Sequence, residues 1–268
     1  AQGDYVQWLD ADDLLAPAKI SEQMRAAAEA GNPKVVLSGM FGTFYNRPEK
    51  ARFVPTSLWK DLTPVEYLLT RFADNVYFQT DAWLVSRELC HAAGPWTDFD
   101  SPDDDGEYFC RVVAKSTGVK FVKSARSFYR VGNYGGVNKN RSARAVTALY
   151  QSKAKCIGYL LSLEDSPRTR AACVQLLQDW LPEFYPERED IVDASRRLAR
   201  ELGGELRDPA LKRKYRPIAW LCGYPAAARV SRTLPRLRAQ AAQRLDAMLQ
   251  RIQAITRRSD GPSRVTGL

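Results

Sequence analysis

Asp10 and Asp12 stand one residue apart, directly after the apolar run Tyr5-Val6-Gln7-Trp8-Leu9. A strand that ends in two carboxylates delivers them to the carboxyl edge of a sheet, where ligands of open α/β folds collect. On a tight turn the pair can hold a hard divalent cation, with water and phosphate oxygens completing its shell. Beside a diphosphate leaving group, that cation would neutralise the charge that develops as the bond breaks. As an isolated tripeptide, D-x-D reads first as a capped, solvated turn ahead of the next helix. A second acidic cluster follows at Asp103-Asp104-Asp105. The positive end of a helix accounts for one Asp there but poorly for three, which repel one another and call for a partner, either metal or acceptor. Ser101 stands where a calcium loop in this register needs an acid, so an EF-hand is rejected.

The surroundings of both clusters sharpen this reading. Gly3-Asp4-Tyr5-Val6-Gln7-Trp8-Leu9-Asp10-Ala11-Asp12-Asp13, with Pro17 and Lys19-Ile20 after it, closely resembles the D-x-D segment of family 2 glycosyltransferases of the GT-A fold. Ala93-Gly94-Pro95-Trp96, then Asp104-Asp105-Gly106-Glu107-Tyr108-Phe109-Cys110-Arg111, resembles the family's acidic pair opening a helix and followed by Arg. Phe128-Tyr129-Arg130-Val131 resembles its closing Tyr-Arg strand. The three segments keep the family's order and cover most of residues 1 to about 140.

The resemblance implies an inverting transfer of a sugar from a UDP-, GDP- or dTDP-sugar to a saccharide or lipid-linked acceptor. Asp10 would face the ribose or base, and Asp12 would hold the cation that bridges the diphosphate. Asp105 would be the general base on the acceptor hydroxyl, with Asp104 as the alternative because the acidic run blurs the register by one. An Asp with a pKa near ~4 is ionised at neutral pH and needs only placement for that task. Arg130 would face the diphosphate or be a charge on a sheet face. Trp96, on a loop after Gly94-Pro95, is the candidate to stack on an acceptor sugar together with Asp103, whereas Trp83 reads as core. Relatives often carry a His after the Tyr-Arg strand; here Gly132-Asn133 follow, and the single histidine, His91, reads as an ordinary helix residue. Metal binding would rest on Asp12 and Asp10 with phosphate and water, which suits Mg²⁺ or Mn²⁺ better than zinc. The resemblance also implies about a hundred preceding residues with the first strands and base-binding loops. The strand at Asp4–Leu9 is therefore expected to lack a parallel neighbour and expose an apolar edge, and this chain alone to be catalytically impaired.

The elements that must place these residues can be read from periodicity. Residues 1–140 alternate short apolar runs with helical patterns, as an α/β domain does. Strands are expected at Asp4–Leu9, Val35–Leu37, Ala82–Ser86, Val119–Val122 and Ser127–Val131. Helices are expected at Pro17–Ala30, from the capping box Thr63-Pro64-Val65-Glu66 to Ala73, at Arg87–Ala93, and from Asp104 toward Gly118. From 141 to 268 the pattern is helical throughout: Ala143–Leu163, Pro167–Leu181, Glu187–Leu202 and Leu234–Arg258, then a frayed tail from Ser259. The expected architecture is thus the C-terminal part of a GT-A (nucleotide-diphospho-sugar transferase) domain over 1–140 and an all-helical region over 141–268.

Composition sets outer limits. The 268 residues can bury a substantial core, and no apolar run approaches the ~20 residues of a spanning helix. Five cysteines, an odd number without C-x-x-C, argue against a disulfide framework or zinc site and favour a reducing cytoplasm. P-loop and dinucleotide-binding glycine patterns are absent from the sequence. The formal charge of +9 is concentrated in an Arg-rich C-terminal segment, where Arg236, Arg238 and Arg244 interleave with Leu237, Leu245 and Met248. Such a helix suits peripheral contact with an anionic inner-membrane surface, or packs its apolar face and solvates its Arg face; no nucleic-acid module accompanies it. Oligomeric state leaves no mark in the sequence. A sugar-phosphate nucleotidylyltransferase, or a non-catalytic sugar-nucleotide-binding or scaffold protein on the same fold, are the alternative readings.

Overall fold

The structure is a computed structural model and describes residues 2–97, 101–132, 140–209 and 211–259. Its backbone is a mixed α/β arrangement with a central sheet, followed by helices. A four-stranded sheet has the order β2 (Leu14–Leu15), β6 (Gly118–Arg130), β3 (Val35–Phe44), β4 (Arg52–Phe53). β2 runs antiparallel to β6, with Leu14 opposite Phe128. β3 and β6 advance together, from Thr117 N–Lys34 O at one end to Val131 N–Phe44 O at the other, and are therefore parallel. Gly39 makes their close approach possible: a Cβ there would lie 2.6 Å from the Ala125 carbonyl oxygen.

The expected strand at 4–9 forms a ladder only over β1 (Tyr5–Val6), antiparallel to β5 (Val85–Ser86). Among the described residues it has no parallel neighbour, and Leu9 is 49% exposed. Leu37 and Leu84 exchange both backbone hydrogen bonds, at 3.0 and 2.9 Å, and so tie β3 to the segment before β5. The two strands expected at 119–122 and 127–131 are one. Its polar middle reads as a break, yet Ala125 and Ser127 point inward while Ser124 and Arg126 point out, the two-residue alternation of a half-buried strand. The expected strand at 82–86 is instead a 3-10 turn at Thr80–Ala82 followed by β5.

The helices follow their end signals closely. They are α1 (Lys19–Ala30), α2 (Pro64–Ala73), α3 (Arg87–Ala93), α4 (Asp104–Lys115), α5 (Ala143–Leu163), α6 (Pro167–Phe184) and α7 (Glu189–Glu201). Thr63 accepts from the Glu66 backbone at 3.2 Å while the Glu66 carboxylate accepts from the Thr63 backbone at 3.0 Å, so both halves of the capping box form. α5 packs on α4, and α6 on α2, around one core that includes Tyr67, Phe72, Trp83, Phe109, Leu160 and Leu177. Each such side chain contributes about 1.5–3 kcal/mol by leaving water.

Close packing groups Ala1–Gly42, Phe53–Tyr129 and Tyr134–Ala210 into one unit, and Thr43–Arg52, Arg130–Asn133 and Leu211–Leu268 into another. α5–α7 thus belong with the acidic clusters rather than with the last helix. The second unit holds a 3-10 turn at Arg213–Tyr215 and α8 (Arg216–Ser259), which is kinked at Gly223, φ 81°. α8 starts well before the expected Leu234; Pro225 and Pro235 lie within it. The tail beyond Ser259 lies outside the described residues. All five cysteines are free: Cys110, Cys156 and Cys173 are buried, Cys90 half-buried and Cys222 exposed.

Candidate active site

The D-x-D turn leaves β1 and closes on a backbone bond from Asp13 N to Asp10 O at 3.1 Å. Asp10 lies at the surface, Asp12 is half-buried and Asp13 is 5% exposed. Partial burial and then the neighbouring Asp12 raise the proton affinity of Asp10. Asp13 turns inward, where the Gln79 amide donates to it at 3.5 Å.

Asp103, Asp104 and Asp105 sit at the first turn of α4. Asp105 accepts from the Thr80 hydroxyl at 3.0 Å and from the Gly106 backbone at 2.8 Å. Burial, then Asp103 and Asp104, push its pKa up to about 6, against the pull of Arg71 and Thr80. Asp104 is also raised, first by burial, and Asp10 is among the charges that raise it. The two acidic segments, far apart in sequence, therefore face one another. Tyr129 joins them: burial first, then Tyr77, Asp13, Asp105 and Asp10, lift its phenol to about 12.

Asp103 is occupied differently from its neighbours. It forms an ion pair with Lys153 of α5, and its backbone N–H donates to Ser101 Oγ at 3.2 Å. Gly106 leaves room for this carboxylate, since a Cβ there would lie 2.3 Å from Asp103 Oδ2. Arg71 of α2 donates to the Gly106 carbonyl at 2.9 Å and to Cys110 Sγ at 2.8 Å. Arg71, Lys153 and Thr80 thus fix the start of α4 from three sides.

Trp83 is core, 1% exposed and stacked on Phe109 at 5.2 Å. Trp96 is half-buried, and one face of its ring is stacked on Tyr108 at 4.5 Å. Arg111 braces that loop by donating to the Pro95 carbonyl at 2.9 Å, while its Nε bonds Glu107 at 3.1 Å. Arg130 falls in the second unit. It donates to the Tyr45 carbonyl at 3.4 Å, with its guanidinium 5.1 Å from the Phe44 ring. Asn133, noted in place of a family His, lies outside the described residues.

Sequence reasoning missed a buried polar layer beneath the D-x-D turn. Lys19, in the first turn of α1, is fully buried and donates to Gln7 Oε1 and Gln23 Oε1, the latter at 2.7 Å. Gln7 in turn donates to the Asp81 carbonyl at 2.9 Å. Asp81 is fully buried, and neither carboxylate oxygen has a hydrogen-bond partner. Burial, then Asp13, raise its pKa to about 7, with the Lys19 charge pulling the other way. Burial lowers Lys19 to about 7, and Asp81 opposes that shift. Nothing around Lys19 in the sequence marks it as buried, because only tertiary structure closes over it.

No cluster of three or more His, Cys, Asp or Glu among the described residues could hold a metal by itself. Asp10 and Asp12 offer hard oxygens from one turn, a set that fits a cation completing its shell with phosphate and water. No protein-family profile matches the chain, and no curated protein matches it.

Proposed function

We propose that the chain carries the donor and catalytic-base side of an inverting, metal-assisted glycosyltransferase. The observation that supports this reading most is the meeting of the D-x-D turn with the first turn of α4, where Asp10 acts electrostatically on Asp104 and Asp105 is held by Thr80. In this reading Asp105 accepts the proton of the acceptor hydroxyl. The hydroxyl oxygen bonds the anomeric carbon from the side opposite the leaving group, and the departing electron pair goes to the nucleoside diphosphate. Asp104 stands beside Asp105 as the alternative base. Asp10 faces the nucleoside, and Asp10 with Asp12 would hold Mg²⁺ or Mn²⁺. When bound, that cation neutralises charge on the diphosphate. Tyr129, protonated at all physiological pH values, is available as a hydrogen-bond donor to the acceptor or to a phosphate.

The test, made on a protein that includes the base-binding segments the resemblance implies, is nucleotide release and sugar transfer with UDP-, GDP- and dTDP-sugars, with and without Mn²⁺, beside Asp105→Asn. Removing a general base lowers turnover by about 10²–10⁴-fold. The variant should do so while nucleotide binding, read by calorimetry, stays intact. Nucleotide binding without turnover by the unsubstituted protein would instead favour a binding or scaffold role. Absence of both would end the proposal.

A further inference from the structure

The part of the second unit that follows Asp208 is basic in sequence as far as Asp246, and it turns apolar side chains to solvent. Between Asp208 and Asp246 the sequence contains no Asp or Glu, but four cations between 212 and 216 and five more between 229 and 244. Four residues beyond Arg216, the last of the first four, Trp220 is 86% exposed and Leu221 71%. Beyond the kink at Gly223, Leu237, Leu245 and Met248 are each more than half exposed. With exposed Ala241 they follow a 4-4-3 spacing, which lines up residues along one side of a helix. At about 100° per residue, Arg238 and Arg244 fall at the two edges of that stripe, and both are exposed.

Charge and apolarity together select the partner. A second copy of this chain would bring the same basic surface against itself. A nucleic acid offers phosphates but no hydrocarbon for Leu237, Leu245 and Met248. An anionic bilayer offers both, and its headgroup boundary is where Trp rings and the heads of Lys and Arg settle. We propose that α8 is an interfacial helix that docks this chain on an anionic lipid surface, with Trp220 and the Leu237–Met248 stripe entering the headgroup boundary. This docking is independent of any catalytic reading of the acidic site.

Flotation of the whole chain with vesicles tests it, comparing phosphatidylglycerol–phosphatidylcholine mixtures with phosphatidylcholine alone at about 0.1 M salt, where exposed charges are screened beyond ~10 Å. The chain should float with the anionic vesicles only, and less as salt rises. Arg238→Gln with Arg244→Gln should weaken partitioning about fivefold for each cation removed. Leu237→Ser, Leu245→Ser and Met248→Ser combined should weaken it at least tenfold while binding to poly(U) is unchanged, with circular dichroism confirming helix content. No flotation with anionic vesicles overturns the proposal. So does flotation that the serine variant leaves unaltered, since that would be polyanion binding alone. A dimer in sedimentation that the serine substitutions dissociate, without vesicle binding, would assign the stripe to a second copy and also overturn it.

Discussion

Asp105 must be ionised to take a proton, and its surroundings hold it at about 6 instead of near 4. Turnover should therefore rise with pH along a limb centred near 6 and level off above it. Thr80 lowers that value by donating to the carboxylate, so Thr80→Val should move the limb to higher pH, as a pH–kcat/KM profile would show. A merely structural loss at Thr80 would lower the plateau and leave the midpoint in place. The same shift has a stability consequence of defined sign. Between about 4 and 6 the folded chain binds more protons at Asp105 than the unfolded chain does, so this group's contribution falls as pH rises through 6. Asp105→Asn should accordingly be more stable than the parent at pH 8, on the order of 2 kcal/mol, with the gain fading toward pH 4 in urea titrations. An unchanged difference across that range would show that Asp105 is not the strained carboxylate. Both predictions rest on neighbours that sequence does not reveal: the acidic run could be seen at 103–105, but Thr80 and Arg71 reach it only through the fold.

Helices with explicit ends were readable in sequence because local chemistry decides them. Pro64 after Thr63, Ser142 before α5 and Pro167 after Ser166 all mark starts where the structure has them. Strands were less legible, since a partner from elsewhere determines them. β6 looked like two pieces because Lys123, Ser124 and Arg126 are polar, although Ala125 and Ser127 face inward and carry the strand through. The hidden layer under the D-x-D turn belongs to this scale as well, for it joins β1, α1 and the 3-10 turn at 80–82. Removing Lys19 would strip Gln7 and Gln23 of their shared donor and leave the buried Asp81 less compensated. Lys19→Ala should cost about 3 kcal/mol in chemical denaturation, as breaking a buried charged network does. Adding Asp81→Asn should restore part of that loss, a coupling that a double-mutant cycle measures. Full additivity would mean that the two side chains do not act together. At the start of α4, Gly106→Ala should cost about 1–3 kcal/mol, because its methyl would displace Asp103 from Lys153.

Across the whole chain, the charge of +9 is a balance between acid gathered at the candidate site and base gathered at the end. Composition made that division visible, but only the fold leaves Trp220, Leu221, Leu237, Leu245 and Met248 uncovered among the C-terminal cations. Among the described tryptophans Trp220 alone is exposed, and it follows four cations. Iodide should thus quench intrinsic fluorescence more than caesium does, and Trp220→Phe should remove most of the difference. Equal quenching by the two ions would place the indole away from those charges. The cysteines add a property of a different kind. Cys222 is open, Cys90 partly covered, and Cys110, Cys156 and Cys173 enclosed. A small alkylating reagent should therefore tag one thiol quickly and a second more slowly, with the last three waiting for the core to open. The chain carries its own clock for breathing motions, and the mass of the labelled protein over time would separate local loosening from global unfolding without any added probe.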